Sequence, residues 1–547
     1  MGINVRNQVS AGAWEQGLGT FFYEGVPFSF STGEAFASVI ATLIQGLYAD
    51  RNRVCVEELG AGLGMLSVHV LQVLARHSPE LFAKTKLHVT EFSAALAKAL
   101  ADTGVFAAFQ DRVTLGQEDC RQFSGHSPDL MVMAYVFDAI PARQLVFQEG
   151  QWWERHVSLA LPDRLLWDCR FFPPEPISAR DLFVEFEKTD VFPLLRQVWP
   201  DVVETERLRP LNWEDIPDAD REALLALSDA NPTHCLRLNY PVALSQILDG
   251  LWQRLSEAGV LLIYDVGGLT TSCTPAWEDL QTTYGVTLCS MVPFSLIQAW
   301  ASRRGVCSRY TDHPEGNSQV MLLSHQPISE TLWSRFVGLS EVSSYGAYAQ
   351  AIRAIHAKTA DFWHAVNLSD ISEKGLSLLS MMPALSSDYT LCMHVSERCY
   401  TAGAYGQAQA FLAPLLRDYG AVGASAWLLQ GKILKAMSET EAAREAFVRG
   451  HQIAPHDEYL LYELAALSLS QRAYAAYIGY AKAYLRYRCH LPDIWETTVT
   501  VLLCMALLGQ RDAVQTACEA LQKLSQKGFL PEGIMQKVHG IQRGMGS

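Results

Sequence analysis

Glycines and a carboxylate at the end of the first predicted strand have the types and spacing to hold a nucleotide-like cofactor. Residues 54–59 form an apolar strand that carries Glu58 and runs into a glycine-rich turn. Glycines let the backbone turn tightly and approach a ligand without a side-chain clash. A carboxylate before the turn suits a cofactor with a cationic amino-acid end. The pattern predicts S-adenosylmethionine, bound by Glu58, Gly60, Ala61, Gly62 and Gly64.

The glycine spacing argues against dinucleotide cofactors. The fingerprint of NAD and FAD sites is Gly-x-Gly-x-x-Gly, whose third glycine packs the following helix on the sheet. This chain has Gly60-x-Gly62-x-Gly64 instead. A glycine-rich turn can also be a plain turn, so the prediction depends on what the next strands carry.

Acidic residues also end the next two predicted strands. Residues 86–90 lead to Glu91, and residues 113–115 are followed by Glu118 and Asp119. A carboxylate that ends the second strand is placed to accept hydrogen bonds from two ribose hydroxyls. Carboxylates after the third strand often contact an adenine amine. Each alone also fits a solvated carboxylate, but their order predicts four more cofactor-binding residues, namely Glu91, Phe92, Glu118 and Asp119.

The candidate catalytic residues follow the fourth predicted strand. Residues 129–136 are almost continuously apolar, as in a central strand that is buried on both faces. Ligands of open parallel sheets bind beyond the carboxyl ends of the strands, so Tyr135, Asp138 and Pro141 are expected to face the reaction site. Tyr135 also fits a packed aromatic residue, and Asp138 also fits a cap of the next turn.

The elements that must position these residues belong to a large globular chain. The 547 residues, 49% of them hydrophobic, are enough for about two to four domains. The net charge of −15 disfavours a nucleic-acid partner. Twelve scattered cysteines indicate reduced thiols, a cytoplasmic location and no metal site. Apolar runs are shorter than the roughly 18 residues that span a bilayer, so no membrane partner is expected.

Strand and helix patterns divide the chain into predicted regions. Strands and helices alternate over residues 54–146, and strands resume at 260–264 and 320–323, which predicts one domain over residues 1–330 with a parallel sheet and helices on both faces. A mostly helical insertion is expected at residues 163–240. Between residues 175 and 229 the chain has 14 acidic and 6 basic side chains. Such a surface would steer a basic peptide, although solvated helix faces explain it equally well.

The last third of the chain is predicted to be helical and repetitive. Residues 331–385 are assigned as a helical linker, 386–530 as tetratricopeptide-like repeats and 531–547 as a tail. Residues 464 and 465 repeat the register of 430 and 431 after 34 residues. The repeats predict a surface for a protein partner or a homodimer, or packing alone. The positions that match the repeat pattern are Trp427, Gly431, Ala443, Phe447 and Pro455.

Over roughly residues 20–325 these segments resemble the MidA-like S-adenosylmethionine-dependent methyltransferases, which include a mitochondrial complex I assembly protein arginine methyltransferase. Residues 58–64 match the cofactor loop of that family, and residues 91–93 resemble its Glu-x-Ser. Residues 137–141 resemble its Leu-Asp-Ala-Leu-Pro, residues 31–34 its Thr-x-Pro-Glu, and residues 264–267 loosely its Asp-Tyr-Gly. The resemblance implies an α/β Rossmann-like class I methyltransferase domain.

The resemblance extends to the catalytic candidates, but it weakens on the acceptor side. An arginine acceptor needs carboxylates to hold its guanidinium, and Glu34 and Asp138 are the candidates, with Tyr135 as a wall of the pocket. Where the family has Asn-Glu and the His and Asp of His-Val-Asp-Phe, this chain has Ala134-Tyr135, Met291 and Pro293. The cofactor residues are therefore kept while the acceptor residues differ.

Three functions remain open from the sequence. The first is a methyltransferase acting on a protein or peptide, at nitrogen and with arginine as one acceptor. The second is a small-molecule methyltransferase that dimerises through its helical repeats. The third is a cofactor-binding scaffold without catalytic activity.

Overall fold

A computed structural model describes residues 10, 12–14, 32–119, 127–161, 163–184, 192–269, 280–284, 287–311, 318–342, 345–366, 388–487 and 493–546. The chain forms two compact units. The first comprises Met1–Ser158 and Thr205–Val422, and the second comprises Leu159–Glu204 and Gly423–Ser547. The boundaries of these units differ from the domain boundaries expected from the sequence. Part of the expected insertion belongs to each unit.

The strands of the described residues are short and mostly buried. In chain order they are β1 (Val54–Leu59), β2 (Thr85–Glu91), β3 (Val113–Gln117), β4 (Leu130–Ala134), β5 (Ala142–Gln148), β6 (Gln151–Ala160), β7 (Leu165–Asp168), β8 (Glu175–Ser178), β9 (Val203–Pro210), β10 (Leu236–Pro241), β11 (Val260–Gly268), β12 (Gln281–Tyr284), β13 (Thr287–Ser290), β14 (Val292–Pro293), β15 (Cys307–Tyr310) and β16 (Ser318–Ser324).

The α-helices of the described residues lie between these strands and throughout the C-terminal part. They are α1 (Glu34–Tyr48), α2 (Met65–His77), α3 (Pro79–Lys84), α4 (Ala94–Thr103), α5 (Ala179–Val184), α6 (Phe192–Val198), α7 (Asp218–Ala230), α8 (Leu244–Arg254), α9 (Phe294–Arg303), α10 (Glu330–Val342), α11 (Tyr345–His356), α12 (Ala360–Ala365), α13 (Tyr389–Thr401), α14 (Tyr405–Asp418), α15 (Ala424–Ala436), α16 (Thr440–Ile453), α17 (Glu458–Ser470), α18 (Tyr474–Tyr487), α19 (Ile494–Leu507), α20 (Arg511–Gln526) and α21 (Ile534–Gly546). Within these residues, no helix combines the length and apolar character needed to cross a membrane.

The first unit is built around one mixed sheet. Its strands follow the order β15-β16-β11-β4-β1-β2-β3, and β14 pairs with β11. Strands β11, β4, β1, β2 and β3 pair in parallel, whereas β16 is antiparallel to both of its neighbours. The carboxyl ends of β1, β2, β4 and β11 therefore meet at one edge, where ligands bind in sheets of this kind. The predicted α/β architecture is confirmed, but the antiparallel pairing of β16 makes the sheet mixed rather than parallel throughout.

A second sheet in the first unit corrects the prediction for residues 163–240. Its antiparallel strands follow the order β10-β5-β6-β9. Together with the β7–β8 hairpin, it makes this segment a mixture of strands and helices rather than mostly helical. Strand β9 is exposed along most of its length and is rich in charged residues, so it lacks the apolar alternation that signals a strand.

The core of the first unit lies where the main sheet meets α8 and α9. Met133 and Ile263 from β4 and β11 belong to one buried cluster with Leu248 of α8 and Ile297 and Trp300 of α9. Burying each such side chain contributes about 1.5–3 kcal/mol. This packing fixes the strand ends from which the candidate site residues project.

The second unit consists of α15–α21 together with the β7–β8 hairpin, α5 and α6. Helices α15 and α17 start 34 residues apart, as do α16 and α18. A Cβ atom at Gly431 would run into the ring of Phe447, so the glycine allows α15 and α16 to pack closely. The Trp167 ring lies 4.7 Å from that of Trp495 and 5.9 Å from that of Phe529.

Candidate active site

The glycine turn after β1 has the backbone conformation that only glycine adopts readily. Gly60, Gly62 and Gly64 have φ values of +71°, +55° and +71°. The amides of Gly60 and Ala61 both donate to the carbonyl of Thr90 at 3.0 Å, which ties the turn to β2. Side chains in the left-handed region cost about 1–2 kcal/mol per residue. The positive φ values therefore favour glycine at all three positions, and a Cβ at Gly60 or Gly64 would also lie less than 3 Å from a neighbouring side chain.

Glu91 closes this turn from the end of β2. Its carboxylate is buried and accepts hydrogen bonds from the amides of Gly62 and Phe92, both at 2.9 Å, and from Ser93 at 3.4 Å. Burial raises the pKa of Glu91, and these three amides oppose the rise. Each carboxylate oxygen has two lone pairs, so the group retains capacity for ribose hydroxyls. Glu91 lies where the sequence predicts it, with an additional role in shaping the turn.

Glu58 is a buried carboxyl group beside the same turn. Ser67 of α2 donates a short hydrogen bond to its Oε2 atom. Burial raises the pKa of Glu58 to about 7, so the group ionises fully only when a cation or a donor compensates it. The ammonium of an amino-acid ligand would supply that compensation. The sequence did not point to Ser67, because a serine in the first turn of a helix is common.

Glu118 has different neighbours from those expected. Its backbone amide donates to the Glu91 carbonyl at 3.1 Å, which places it at the same sheet edge. Its carboxylate, however, lies 3.3 Å from His88 and 3.4 Å from Arg254. The half-buried Asp119 follows it, and residues 120–126 lie outside the described part of the chain. The adenine contact predicted for these two acids remains a prediction.

Three residues at this edge, Glu57, His88 and Glu118, place potential ligand atoms within 4.8 Å of one another. The sequence indicated no metal site. Arg254 binds Glu57 at 2.5 Å and Glu118 at 3.4 Å, so a fixed cation already lies within the group. Burial raises the pKa of Glu57, and the charge of Arg254 opposes that rise. We interpret the group as a buried ion cluster that connects β1–β3 to α8.

Tyr135 follows β4 in a strained conformation. Its φ of +56° is unusual for a residue with a side chain. Its amide donates to the Tyr264 carbonyl at 2.8 Å, and its hydroxyl lies 3.0 Å from that of Ser318. Burial raises its pKa well above the ordinary tyrosine value, so the phenol stays neutral. Strain of this kind concentrates at functional sites, which agrees with a role in the acceptor pocket.

Asp138 lies in the same turn and is buried. Its pKa is raised to about 6, mainly by burial, while a hydrogen bond with the Cys289 thiol opposes the rise. Its Oδ1 atom has no hydrogen-bond partner among the described residues. Val136 of this turn approaches Gly60, since a Cβ on that glycine would lie 2.7 Å from Val136 Cγ2. The turn that carries Asp138 therefore borders the glycine turn.

Asp265 is a residue that the sequence analysis did not place in the site. It is fully buried in β11, and its Oδ2 accepts the amides of Phe137 at 2.9 Å and Asp138 at 3.3 Å. Its Oδ1 accepts the Val266 amide at 2.8 Å. The available signal was the loose likeness of residues 264–267 to the Asp-Tyr-Gly of the resembled family.

Glu34, the remaining catalytic candidate, begins α1. It is buried and forms an ion pair with Arg76 of α2 at 2.7 Å. Phe36, two residues later, packs on the Tyr264 ring at a centroid distance of 4.4 Å. The start of α1 therefore lies beside the two tyrosines, while the carboxylate of Glu34 is held by an arginine of the protein itself.

The glycine turn and its carboxylates fit S-adenosylmethionine, and the comparisons with known proteins agree. Residues 35–283 match the profile of a family described as "Putative S-adenosyl-L-methionine-dependent methyltransferase". No curated protein matches the chain. The matched residues include the glycine turn, Glu91, Asp138 and Asp265, and they stop before the second unit's C-terminal helices.

Solved structures with a similar arrangement are distant from this chain. An uncharacterised superfamily protein from Burkholderia thailandensis has 17% identity and a TM-score of 0.37, with 55% of this chain and 82% of that chain covered. A member of the same superfamily, bound to S-adenosyl-homocysteine, has 16% identity, a TM-score of 0.38 and coverages of 56% and 80%. The magnesium protoporphyrin IX methyltransferase of Synechocystis has 10% identity and a TM-score of 0.25, with 53% of this chain and 80% of that chain covered. At these TM-scores they carry no further argument. On the family profile and the geometry of the glycine turn, the protein is an S-adenosylmethionine-dependent methyltransferase whose cofactor is S-adenosylmethionine.

Proposed function

We propose that this methyltransferase acts on a nitrogen atom of a protein or peptide, with arginine as the candidate side chain. The observation that carries the proposal is Asp138, a buried carboxyl group beside the cofactor turn. Its pKa of about 6 lies close to neutral pH, where a general base is most effective. A nitrogen acceptor that carries a proton needs such a base.

The cofactor supplies a methyl group on a positively charged sulfur atom. The acceptor nitrogen must approach this carbon in line, so most of the catalysis is positioning. Asp138 accepts the proton that the nitrogen loses, and the half-buried Tyr135 with the buried Tyr264, whose rings lie 5.3 Å apart, would exclude water from the acceptor side. Where the resembled family has Glu, this chain has Tyr135. Asp138 is the first carboxylate after that position and lies in the same turn.

Arginine recognition would use carboxylates of the pocket. A guanidinium binds carboxylates through paired hydrogen bonds. Glu34 already holds Arg76, and a substrate guanidinium would have to displace that partner. Asp138, whose Oδ1 has no partner among the described residues, is therefore the stronger candidate for contact with the acceptor.

A protein substrate is favoured by the helical part of the second unit. The 34-residue offset between helix pairs, with Gly431 packed under Phe447, supports a tetratricopeptide-like arrangement. Exposed apolar side chains lie on α17 and α19, namely Tyr459, Tyr462, Leu503 and Leu507. Repeats of this kind present surfaces for partners or for a second copy of the chain.

We further propose a relationship to the MidA-like enzymes and a cytoplasmic location. The kinship is supported by the sequence of the glycine turn, by the sequence of residues 137–141, and by the contact between Val136 and Gly60 that brings the two turns together. The location is supported by the free cysteines among the described residues, such as the buried Cys289 and Cys392.

Methyl transfer from isotopically labelled S-adenosylmethionine tests the proposal. The full-length protein is incubated with cell lysate, and proteins, peptides and small molecules are separated and analysed by mass spectrometry. We expect label on protein nitrogen, at arginine, that is absent with the Gly62→Val variant. Label confined to small molecules would favour the second function, and cofactor binding without any labelled product would contradict the proposal.

A further inference from the structure

Two carboxyl groups, Asp138 and Asp265, lie together beneath the acceptor side without a cation. Both are buried, and in the described part of the chain no lysine, arginine or histidine forms an ion pair with either. The other titratable groups that face them are Tyr135 from the same turn, Tyr264 from β11 and the Cys289 thiol from β13. All three are neutral at physiological pH, because burial raises their pKa values.

Like charges in such a place cannot both ionise near neutral pH, so the two groups titrate as a pair. Burial and the charge of Asp138 raise the pKa of Asp265 well above the ordinary aspartate value, and its hydrogen bonds oppose that rise. Asp265 accepts three backbone amides, from Phe137, Asp138 and Val266. Asp138 has the weak Cys289 thiol and the Ala139 amide, and its Oδ1 has no partner among the described residues. With a pKa of about 6, Asp138 is the member of the pair that ionises first and that titrates near neutral pH.

The same bonds make Asp265 the support of the turn. Tyr135 has a strained φ of +56°, and a strained residue persists only where its surroundings hold it. The two amides bound to Asp265 Oδ2 belong to residues 137 and 138, immediately after that point. The Asp138 carbonyl also accepts the Ser290 amide at 2.9 Å. The orientation of Asp138 is therefore set from β11 and β13, which are distant in sequence.

We propose that Asp265 is a positioning residue for methyl transfer: its carboxyl group holds the backbone amides of residues 137 and 138 and so orients Asp138 toward the acceptor's proton. This inference rests on the proposed nitrogen acceptor. The nitrogen lone pair forms the bond to the methyl carbon while the carbon–sulfur bond breaks and leaves its electron pair on sulfur. The proton of that nitrogen passes to Asp138 and later to solvent.

The Asp265→Asn variant tests this role. It keeps the size of the side chain, but its amide has a single acceptor oxygen in place of the two that bind three backbone amides, so the turn that carries Asp138 should lose its support. With labelled cofactor and the proteins of a cell lysate as acceptor, we expect the rate of methyl transfer to fall about 100-fold, as for a misplaced catalytic group, while the acid limb of its pH profile stays in place. Cofactor affinity should stay unchanged. Asp220→Asn is the matched control, because Asp220 is a buried carboxyl group bonded to Tyr240 and Ser245 instead.

Two comparisons separate positioning from a structural effect. If Asp265 acts through Asp138, the double variant Asp138→Asn/Asp265→Asn should be no slower than Asp138→Asn alone. A shifted acid limb, or additive losses in the double variant, would overturn the proposal. An unchanged rate in Asp265→Asn would do the same.

Infrared titration of the carboxyl stretch tests the carboxyl pair in the free enzyme, without any methyl acceptor. In the free wild-type enzyme one buried protonated carboxyl group should titrate near neutral pH, and Asp138→Asn should abolish that signal. A signal that persists in Asp138→Asn would place the proton on Asp265 and contradict the assignment. If the titration behaves as expected but no nitrogen is methylated, the proposed function fails while the carboxyl pair stands. The infrared titration compares the wild-type enzyme with Asp138→Asn, so it remains informative if Asp265→Asn does not fold.

Discussion

The cofactor side of the site is assembled from neighbours in the sequence, whereas the acceptor side is assembled across the chain. The Gly62 amide binds Glu91, 29 residues away. Phe137 binds Asp265 across 128 residues, and Tyr135 reaches Ser318 across 183. The first arrangement depends on glycine conformations and one strand end. The second depends on how β4, β11, β13 and β16 come together.

This difference indicates which side of the site can change in sequence while the other side keeps its structure. Because most of the residues predicted to bind the cofactor lie in the glycine turn and at the end of β2, we expect cofactor binding to persist when residues on the proposed acceptor side diverge. The chain follows this pattern: it keeps the glycine spacing but has Tyr135, Met291 and Pro293 where polar residues occur in the resembled family. Variants that affect the two sides separately would test the comparison.

The largest effect is expected from Gly62→Val. Its φ of +55° strains any side chain by about 1–2 kcal/mol, and a branched one also fills the space of the ligand. We expect cofactor affinity, measured by calorimetry, to fall by roughly 100-fold or more, which corresponds to about 2.7 kcal/mol. Gly104→Val is the control, because Gly104 also has a positive φ, of +67°, but open space around it. Equal losses in both variants would contradict a specific role for the glycine turn.

A smaller loss is expected for Glu91→Ala. The change leaves three amides without their acceptor and removes the predicted ribose contact, so binding should weaken by about 1–3 kcal/mol. Glu118→Ala is the informative comparison, since its carboxylate lies with His88 and Arg254. It should lower the free energy of unfolding more than the cofactor affinity. The reverse result for Glu118 would support the adenine contact predicted from the sequence.

The pH dependence of cofactor affinity should report Glu58. Its raised pKa of about 7 means that the carboxyl group is protonated at lower pH and must ionise to bind an ammonium. We expect affinity to weaken roughly tenfold between pH 7 and pH 5.5, since each pKa unit corresponds to 1.36 kcal/mol. Glu58→Gln should flatten this dependence, and an unaltered slope in that variant would assign it to another group. The stability of the ligand-free protein should change in the opposite direction with pH. Burial favours the protonated form of Glu58, and the stability that this form contributes is lost as the pH rises through about 7.

The smallest effect should come from Tyr135→Phe. It removes the hydroxyl contact with Ser318, and the free energy of unfolding in urea should fall by about 1 kcal/mol. Cofactor affinity should remain at the wild-type value, because the hydroxyl lies on the acceptor side. Tyr400→Phe in α13 provides a control on a tyrosine outside the site. A large loss of cofactor affinity in Tyr135→Phe would show that the two sides are not separable.

Much of the cofactor side was predictable because its signals are local. The strand at residues 54–59, the glycines after it and Glu91 at the end of β2 are where the sequence indicates. Glu118 illustrates the limit: its position at the strand end was predictable, but its partner Arg254 comes from α8, 136 residues away. Strand β9 was missed because its exposed, charged residues lack an apolar period.

The sequence by itself determined the cofactor turn, the parallel strands and the class of enzyme, because glycine conformations and apolar periods act over a few residues. Only the tertiary structure decided the partners of the carboxylates. Asp265 became part of the site because β11 lies next to β4 and its carboxylate meets the amides of residues 137 and 138. The structure likewise divided residues 163–240 between two units. Such pairings depend on packing between distant segments, which no local pattern encodes.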